Sequence, residues 1–195
     1  MSKKKITYCK SIEESRNKYK EYINNHIKTV QDMYARSAIA FKDVFPNVYK
    51  DSTQVQDLFT NLENHDKSKT SYNEFWPYAM RFFPTDSIDQ DYEELFEKFK
   101  NNFHIAWLHH AHSNPHHPAY WALADDGGLK IYNMPDIYII EMLCDWMAMS
   151  KYYNSTTLDY WKSESAQKLP VSEYTKSKVN EFMEWMTENN VHTIW

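Results

Sequence analysis

Glycine occurs only twice in the chain, and both copies stand together at Gly127-Gly128. Glycine-rich phosphate loops, dinucleotide-binding fingerprints and architectures made of many tight hairpins need residues that reach positive φ without steric cost, so this chain lacks the means to build them. That leaves helices. With 42% hydrophobic and 25% charged residues, the sequence has enough apolar material for a buried core and is not of the composition that stays disordered. A length of 195 residues suits one domain. The expected fold is all-α, a single-domain helical bundle with an N-terminal tail over 1–10, a core over about 11–155 and C-terminal packing helices over 156–195.

The formal net charge is −5, and no cluster of Lys and Arg exceeds Lys3-Lys4-Lys5, so the electrostatic footprint of a duplex nucleic-acid binder is absent. An anionic substrate would need a local cation. Cys9 and Cys144 are the only cysteines, and Cys144 lies in the apolar run Leu143-Cys144-Asp145-Trp146, which argues against a disulfide framework or a thiolate zinc site. No apolar stretch approaches the ~20 residues that span a bilayer, and the polar segment after Met1 lacks the apolar middle of a signal peptide. A cytoplasmic protein without a membrane partner is therefore expected.

Ser11 and Glu14 have capping-box spacing, and Tyr19, Tyr22, Ile23, His26, Ile27, Val30, Met33 and Tyr34 follow at three- and four-residue steps. This predicts one long amphipathic helix ending near Pro46. A second helix is expected from about Asp51, with Val55, Leu58, Phe59 and Leu62 on a face that continues onto His65 and Asp66. Ser71 and Glu74 form another capping box, opening a segment that Pro77 must shorten or kink. From Asp86, the pattern Tyr92, Leu95, Phe96, Phe99, Phe103, Ala106, Trp107 predicts a helix running into a histidine-rich stretch before Pro115 and Pro118 break it. A loop with the turn Asp125-Asp126-Gly127-Gly128 then leads to Met134-Pro135, where proline at the first helical position introduces an apolar helix through Met149. One short and one final packing helix complete the chain.

Six of the nine histidines fall between residues 104 and 117. At about 100° per residue, the apolar stripe from Tyr92 to Ala106 passes within roughly 20° of His110, while His109, His104 and His112 stand about 100°, 120° and 160° away. His110 thus faces inward, and the other three are expected in water. His26 lies between Ile23 and Ile27 on a buried face, where it is either a hydrogen-bonded core histidine or a ligand. Asp145 sits in an almost wholly apolar helix and needs a cation or several donors if buried; a metal, a salt bridge or outward exposure would each serve. His65-Asp66 alone is weak evidence, because roughly 0.6 such pairs arise by chance from nine histidines and 13 aspartates in 195 residues. Its place at the end of an apolar stripe, followed by Lys69, makes it stronger. The series His26, His65-Asp66, His110, His116-His117, Asp145 offers imidazole and carboxylate without thiolate, which suits Zn, Mn or Fe, and more donors than one ion needs, which suits two ions.

This order, H…HD…H…HH…D with HDxxK in the second element, resembles the HD-domain superfamily of metal-dependent phosphohydrolases, and more closely its variants with an extra His pair that hold two metals. Tyr22-Ile23-Asn24-Asn25-His26 with Val30 looks like the family's first helix, His65-Asp66-Lys67-Ser68-Lys69 its signature, and Asp145 its closing aspartate. The phrases HDKSK, AWLHH..NPHHPAYW and EMLCDWMAMS are also similar to a group of bacterial and phage proteins of unknown function, over residues 20 to 155. The loop after HDxxK and the residues following His116-His117 depart from the cyclic-dinucleotide phosphodiesterase branch, so that substrate is not implied.

The resemblance implies an HD-like hydrolase for a nucleotide or other small phosphate ester. Asp66 would be shared between two ions, with His26, His65 and Asp145 completing one, and His110 with one or both of His116 and His117 completing the other. Lys69 would contact substrate phosphate or orient Asp66, or else be a helix-end surface lysine. Glu74 is expected to cap its helix rather than act as a base. Trp107, Tyr120 and Trp121 could stack a base, although a core role is the plainer expectation. Two alternatives stay open: an HD-type di-iron oxygenase on the same ligands, and a non-catalytic metal-containing protein that binds a ligand or partner.

Overall fold

The computed structural model describes residues 8–85 and 93–191, excepting the Phe96 side chain. The expectations for Lys3-Lys4-Lys5, for the start at Asp86 and Tyr92, and for Phe96 packing lie outside the described residues. Within them the fold is all-α, with eleven α-helices, two short 3-10 turns and one two-stranded hairpin. None of these helices is long and apolar enough to cross a membrane. The described residues gather into two compact units, one of residues 27–65 and 115–191, the other of residues 8–26, 66–85 and 93–114.

In the first unit, the long helix expected to reach Pro46 is divided. Helix α1 (Ile12–Arg36) stops at Ser37, whose N–H reaches both Met33 O and Tyr34 O, at 3.0 and 3.2 Å. The buried Ser37 hydroxyl is 3.5 Å from Met147 Sδ. Helix α2 (Ala38–Val44) restarts at once, and Pro46 then opens α3 (Pro46–Lys50) instead of ending a helix, because a missing N–H costs nothing in the first turn. Helix α4 (Ser52–Glu63) begins where expected, and the Asp51 side chain accepts from the N–H groups of Thr53 and Gln54. Leu58 and Leu62 bury its inner face, while Phe59 stands half in solvent, edge-on to Tyr34.

Among the helices named in this unit, α4 packs on α8 (Asp136–Tyr153), in which Ile139, Ile140, Met142, Leu143, Cys144, Met147 and Ala148 are all buried. Pro135 is the residue before α8 rather than its first, and the helix runs on past Met149 until Asn154 turns left-handed at φ 52°. The C-terminal region holds three helices where two are expected: α9 (Thr157–Trp161), α10 (Glu164–Gln167) and α11 (Glu173–Glu188). Thr156, Ser163 and Ser172 each cap one, their side-chain oxygens accepting from Asp159, Ala166 and Thr175 N–H groups. The expected loop contains a hairpin, β1 (Ala122–Asp125) paired antiparallel with β2 (Gly128–Ile131), closed by Asp125 opposite Gly128 at φ 95°. The single glycine pair of the sequence is spent there.

The second unit contains the start of α1, where Ser11 Oγ accepts from Glu14 N–H at 3.1 Å while the Glu14 carboxylate accepts from Lys10 N–H, a capping box displaced by one residue. Helix α5 (Tyr72–Phe82) continues five residues beyond Pro77. The buried Tyr19 ring of α1 meets Phe75 and Tyr78 of α5 at 5.1 and 6.1 Å. The one helix expected before the histidines is two, α6 (Glu93–Phe99) and α7 (Phe103–Ser113), separated where Asn102 N–H closes a turn on Phe99 O.

Phe182 of α11 is fully buried and stacks on Phe41 of α2, with ring centroids 5.1 Å apart and 15° between planes. Phe182→Ala is expected to destabilise the protein by about 3–5 kcal/mol in urea denaturation. A loss below about 1 kcal/mol would contradict this placement of the core.

Candidate functional site

Helix α4 ends at Asn64, whose N–H returns to Thr60 O, and the chain then turns sharply: Asp66 adopts φ 57°, ψ 18° before the 3-10 turn Lys67–Thr70. Aspartate tolerates this left-handed region better than most residues. His65 and Asp66 are both buried.

In the first unit, His65 Nδ1 lies 2.8 Å from Glu141 Oε1, and His116 Nδ1 lies 2.9 Å from the same oxygen. The two imidazole centroids are 4.4 Å apart. His116 follows Pro115, whose carbonyl accepts from Trp121 Nε1 at 2.7 Å and so ties the loop to the 3-10 turn Pro118–Trp121. Asp145, one turn after Glu141 on α8, brings Oδ1 to 3.9 Å from His65 Nε2 and is 15% exposed. Candidate ligand atoms of His65, His116 and Asp145 all lie within 4.8 Å of one another. Burial raises the Glu141 pKa, but hydrogen bonds from His116 and His65 and the charge of their rings outweigh it and hold the carboxyl at about 2. His117 is half-buried, with its ring 4.4 Å from that of His116.

In the second unit, Asp66 stands between two imidazoles. His110 Nε2 is 3.1 Å from Oδ1 and His26 Nε2 is 3.4 Å from Oδ2, while Lys69 Nζ donates to Oδ2 at 2.5 Å. Tyr22 stacks parallel to His26 one turn before it on α1. Lys69 is 14% exposed and lies over the Tyr78 ring, so the surface-lysine alternative falls. The capping role expected of Glu74 falls too. Ser71 precedes α5 but its hydroxyl makes no capping bond, whereas the wholly buried Glu74 carboxylate faces His109 at 2.6 Å through Oε1, and His110 and Ser68 at 2.9 Å through Oε2. Against the opposing effect of burial, the hydrogen bond and charge of His110, with the bonds of His109 and Ser68, keep the Glu74 carboxyl below the usual range.

His104 and His112 are exposed, as helix geometry predicts. His109 is half-exposed but held by Glu74, and is more than a solvated surface residue. Trp107 and Tyr120 are nearly half-exposed rather than core, while Trp121 is packed against the core.

Both clusters have the donor chemistry of a cation site. The imidazoles at 3.1 and 3.4 Å from Asp66 approach different oxygens of its carboxylate, His110 at Oδ1 and His26 at Oδ2. Buried His and Asp clusters of this kind could hold a metal ion. Sequence reasoning missed Glu141, although its spacing of one helical turn from Asp145 within the same apolar run was a usable signal.

A carboxyl held below its unfolded value adds stability that is fully present above the unfolded pKa, 4.5, and is lost as pH falls toward the folded value of about 2. Across that window, the melting temperature of the metal-free protein is expected to fall more steeply in wild type than in Glu141→Gln. Parallel curves would contradict the ionised assignment of Glu141.

The model of a family of unknown function (DUF5662) matches residues 15–185. No curated protein and no solved structure matches the chain.

Proposed function

The chain belongs to this family of unknown function, and from the chemistry of its own side chains we propose that it is a metal-dependent phosphohydrolase acting on a small phosphate ester such as a nucleotide. The observation that carries the reading is Asp66, a buried carboxylate with an imidazole against each oxygen and a partly buried lysine on one of them. A second set of two imidazoles and a carboxylate, His65, His116 and Asp145, supports it. His65, His116 and Asp145 would hold one divalent ion, and Asp66 would offer a carboxylate, with His26 and His110 beside it, to another, with Mn, Fe or Zn suited to these donors. When bound, such ions lower the pKa of water to near neutrality and offset charge developing on a phosphoryl group.

The remaining work falls to the protein. Lys69 carries three donor hydrogens, and its bond to Asp66 leaves the ammonium able to bind a phosphate oxygen while it steadies the carboxylate. In a chain of net charge −5, the partly buried Lys69 supplies a local attraction for an anion. Serine and cysteine nucleophiles are not needed, because the nucleophile in this chemistry is water.

Metal-free protein supplied separately with Mn, Zn and Fe is expected to hydrolyse a chromogenic phosphate ester or a nucleotide from a broad panel. Asp66→Asn should lower that rate by at least about 100-fold, beyond the loss typical of an outer-shell change, with circular dichroism unchanged. Lys69→Met should lower turnover while leaving metal stoichiometry intact. No hydrolysis with any of the three metals would sink the proposal, and substrate-dependent oxygen uptake by the iron form would replace it with oxygenase chemistry.

A further inference from the structure

Glu141 contributes no ligand atom to the reading above, yet it makes the closest contacts of its cluster. A single oxygen, Oε1, lies 2.8 Å from His65 Nδ1 and 2.9 Å from His116 Nδ1. A carboxyl group has at most one hydrogen and cannot donate to both rings. A neutral imidazole has one N–H, and placing it on Nδ1 in both rings satisfies both bonds with the two lone pairs of one oxygen. We infer that Glu141 is a positioning residue that holds His65 and His116 as a matched pair, both protonated at Nδ1 and both presenting Nε2 to a divalent cation. The cation part of this assignment rests on the metal-dependent reading; the tautomers do not.

The geometry around the pair agrees with that role. The rings tilt by 37° with centroids 4.4 Å apart, and His65 Nε2 faces Asp145 Oδ1 at 3.9 Å. One turn of α8 therefore supplies the anchor behind the rings, and the next supplies a third donor in front of them. The same device occurs separately in the other unit, where Glu74 Oε2 meets His110 Nδ1 at 2.9 Å and His110 Nε2 turns toward Asp66. A carboxylate on the far nitrogen fixes the tautomer and orientation of a ligating imidazole and raises its basicity, and its loss typically weakens metal binding 10- to 100-fold.

Long-range proton–nitrogen NMR of the metal-free protein reads the tautomers directly. Wild type is expected to show Nδ1–H imidazoles at His65 and His116. Glu141→Gln, which keeps the shape but adds a competing NH2 donor, should convert one or both rings to the Nε2–H form. Glu74→Gln should leave this pair unchanged. Titration with Co(II) or Mn(II) should show a 10- to 100-fold loss of affinity in Glu141→Gln with the helical spectrum retained. Nε2–H rings in wild type, or unchanged affinity in a folded Glu141→Gln, would overturn the assignment. A wild type that takes up no cation removes the hydrolase reading and the cation part of the assignment, while the wild-type spectrum still decides the tautomers, as it does if the variant fails to fold.

Discussion

A carboxylate taken out of water must find compensating charge or donors, and the architecture here turns on that constraint. Asp66, Glu74 and Glu141 are nearly inaccessible to solvent, and each is met by imidazole. This accounts for the buried histidines His26, His65, His110 and His116 in a chain whose other buried side chains are mostly apolar and aromatic. The abrupt backbone at Asp66, with φ 57° and ψ 18°, sets the carboxylate between His26 and His110.

The arrangement has a division of labour. Glutamates sit on the Nδ1 sides of His65, His116 and His110, and aspartates on the Nε2 sides of His65 and His110. Because Lys69 already serves Asp66 and Asp145 keeps some access to water, both clusters can form in the metal-free protein. Donors held in place before an ion arrives lose little freedom on binding it, which is the condition for a well-defined metal geometry.

Much of this could be read in the sequence where burial leaves a local mark. Asp145 stood out because a charge inside Leu143-Cys144-Asp145-Trp146 must be compensated, and helical angles singled out His110 from its neighbours. Glu74 was misread because Ser71-x-x-Glu74 satisfies a local capping pattern, while the donors that actually hold it, His109 and His110, lie 35 and 36 residues away. Glu141 escaped for a similar reason: periodicity assigns a face, but only tertiary packing shows that His65 and His116 arrive there. The helix breaks at Ser37 and around Asn102 occur without glycine or proline, the usual punctuation, and so left no signal. The hairpin after the histidine pair was hidden by its short strands, although its one glycine turn was visible.

Anomalous diffraction from crystals grown with manganese or zinc, recorded on either side of the absorption edge, tests the central claim most directly. The account predicts a peak at about 2.0–2.2 Å from the imidazoles of His65 and His116 and the carboxylate of Asp145. Well-ordered density for these three side chains in metal-soaked crystals, hydrogen-bonded among themselves or to water with no anomalous signal beside them, would contradict it.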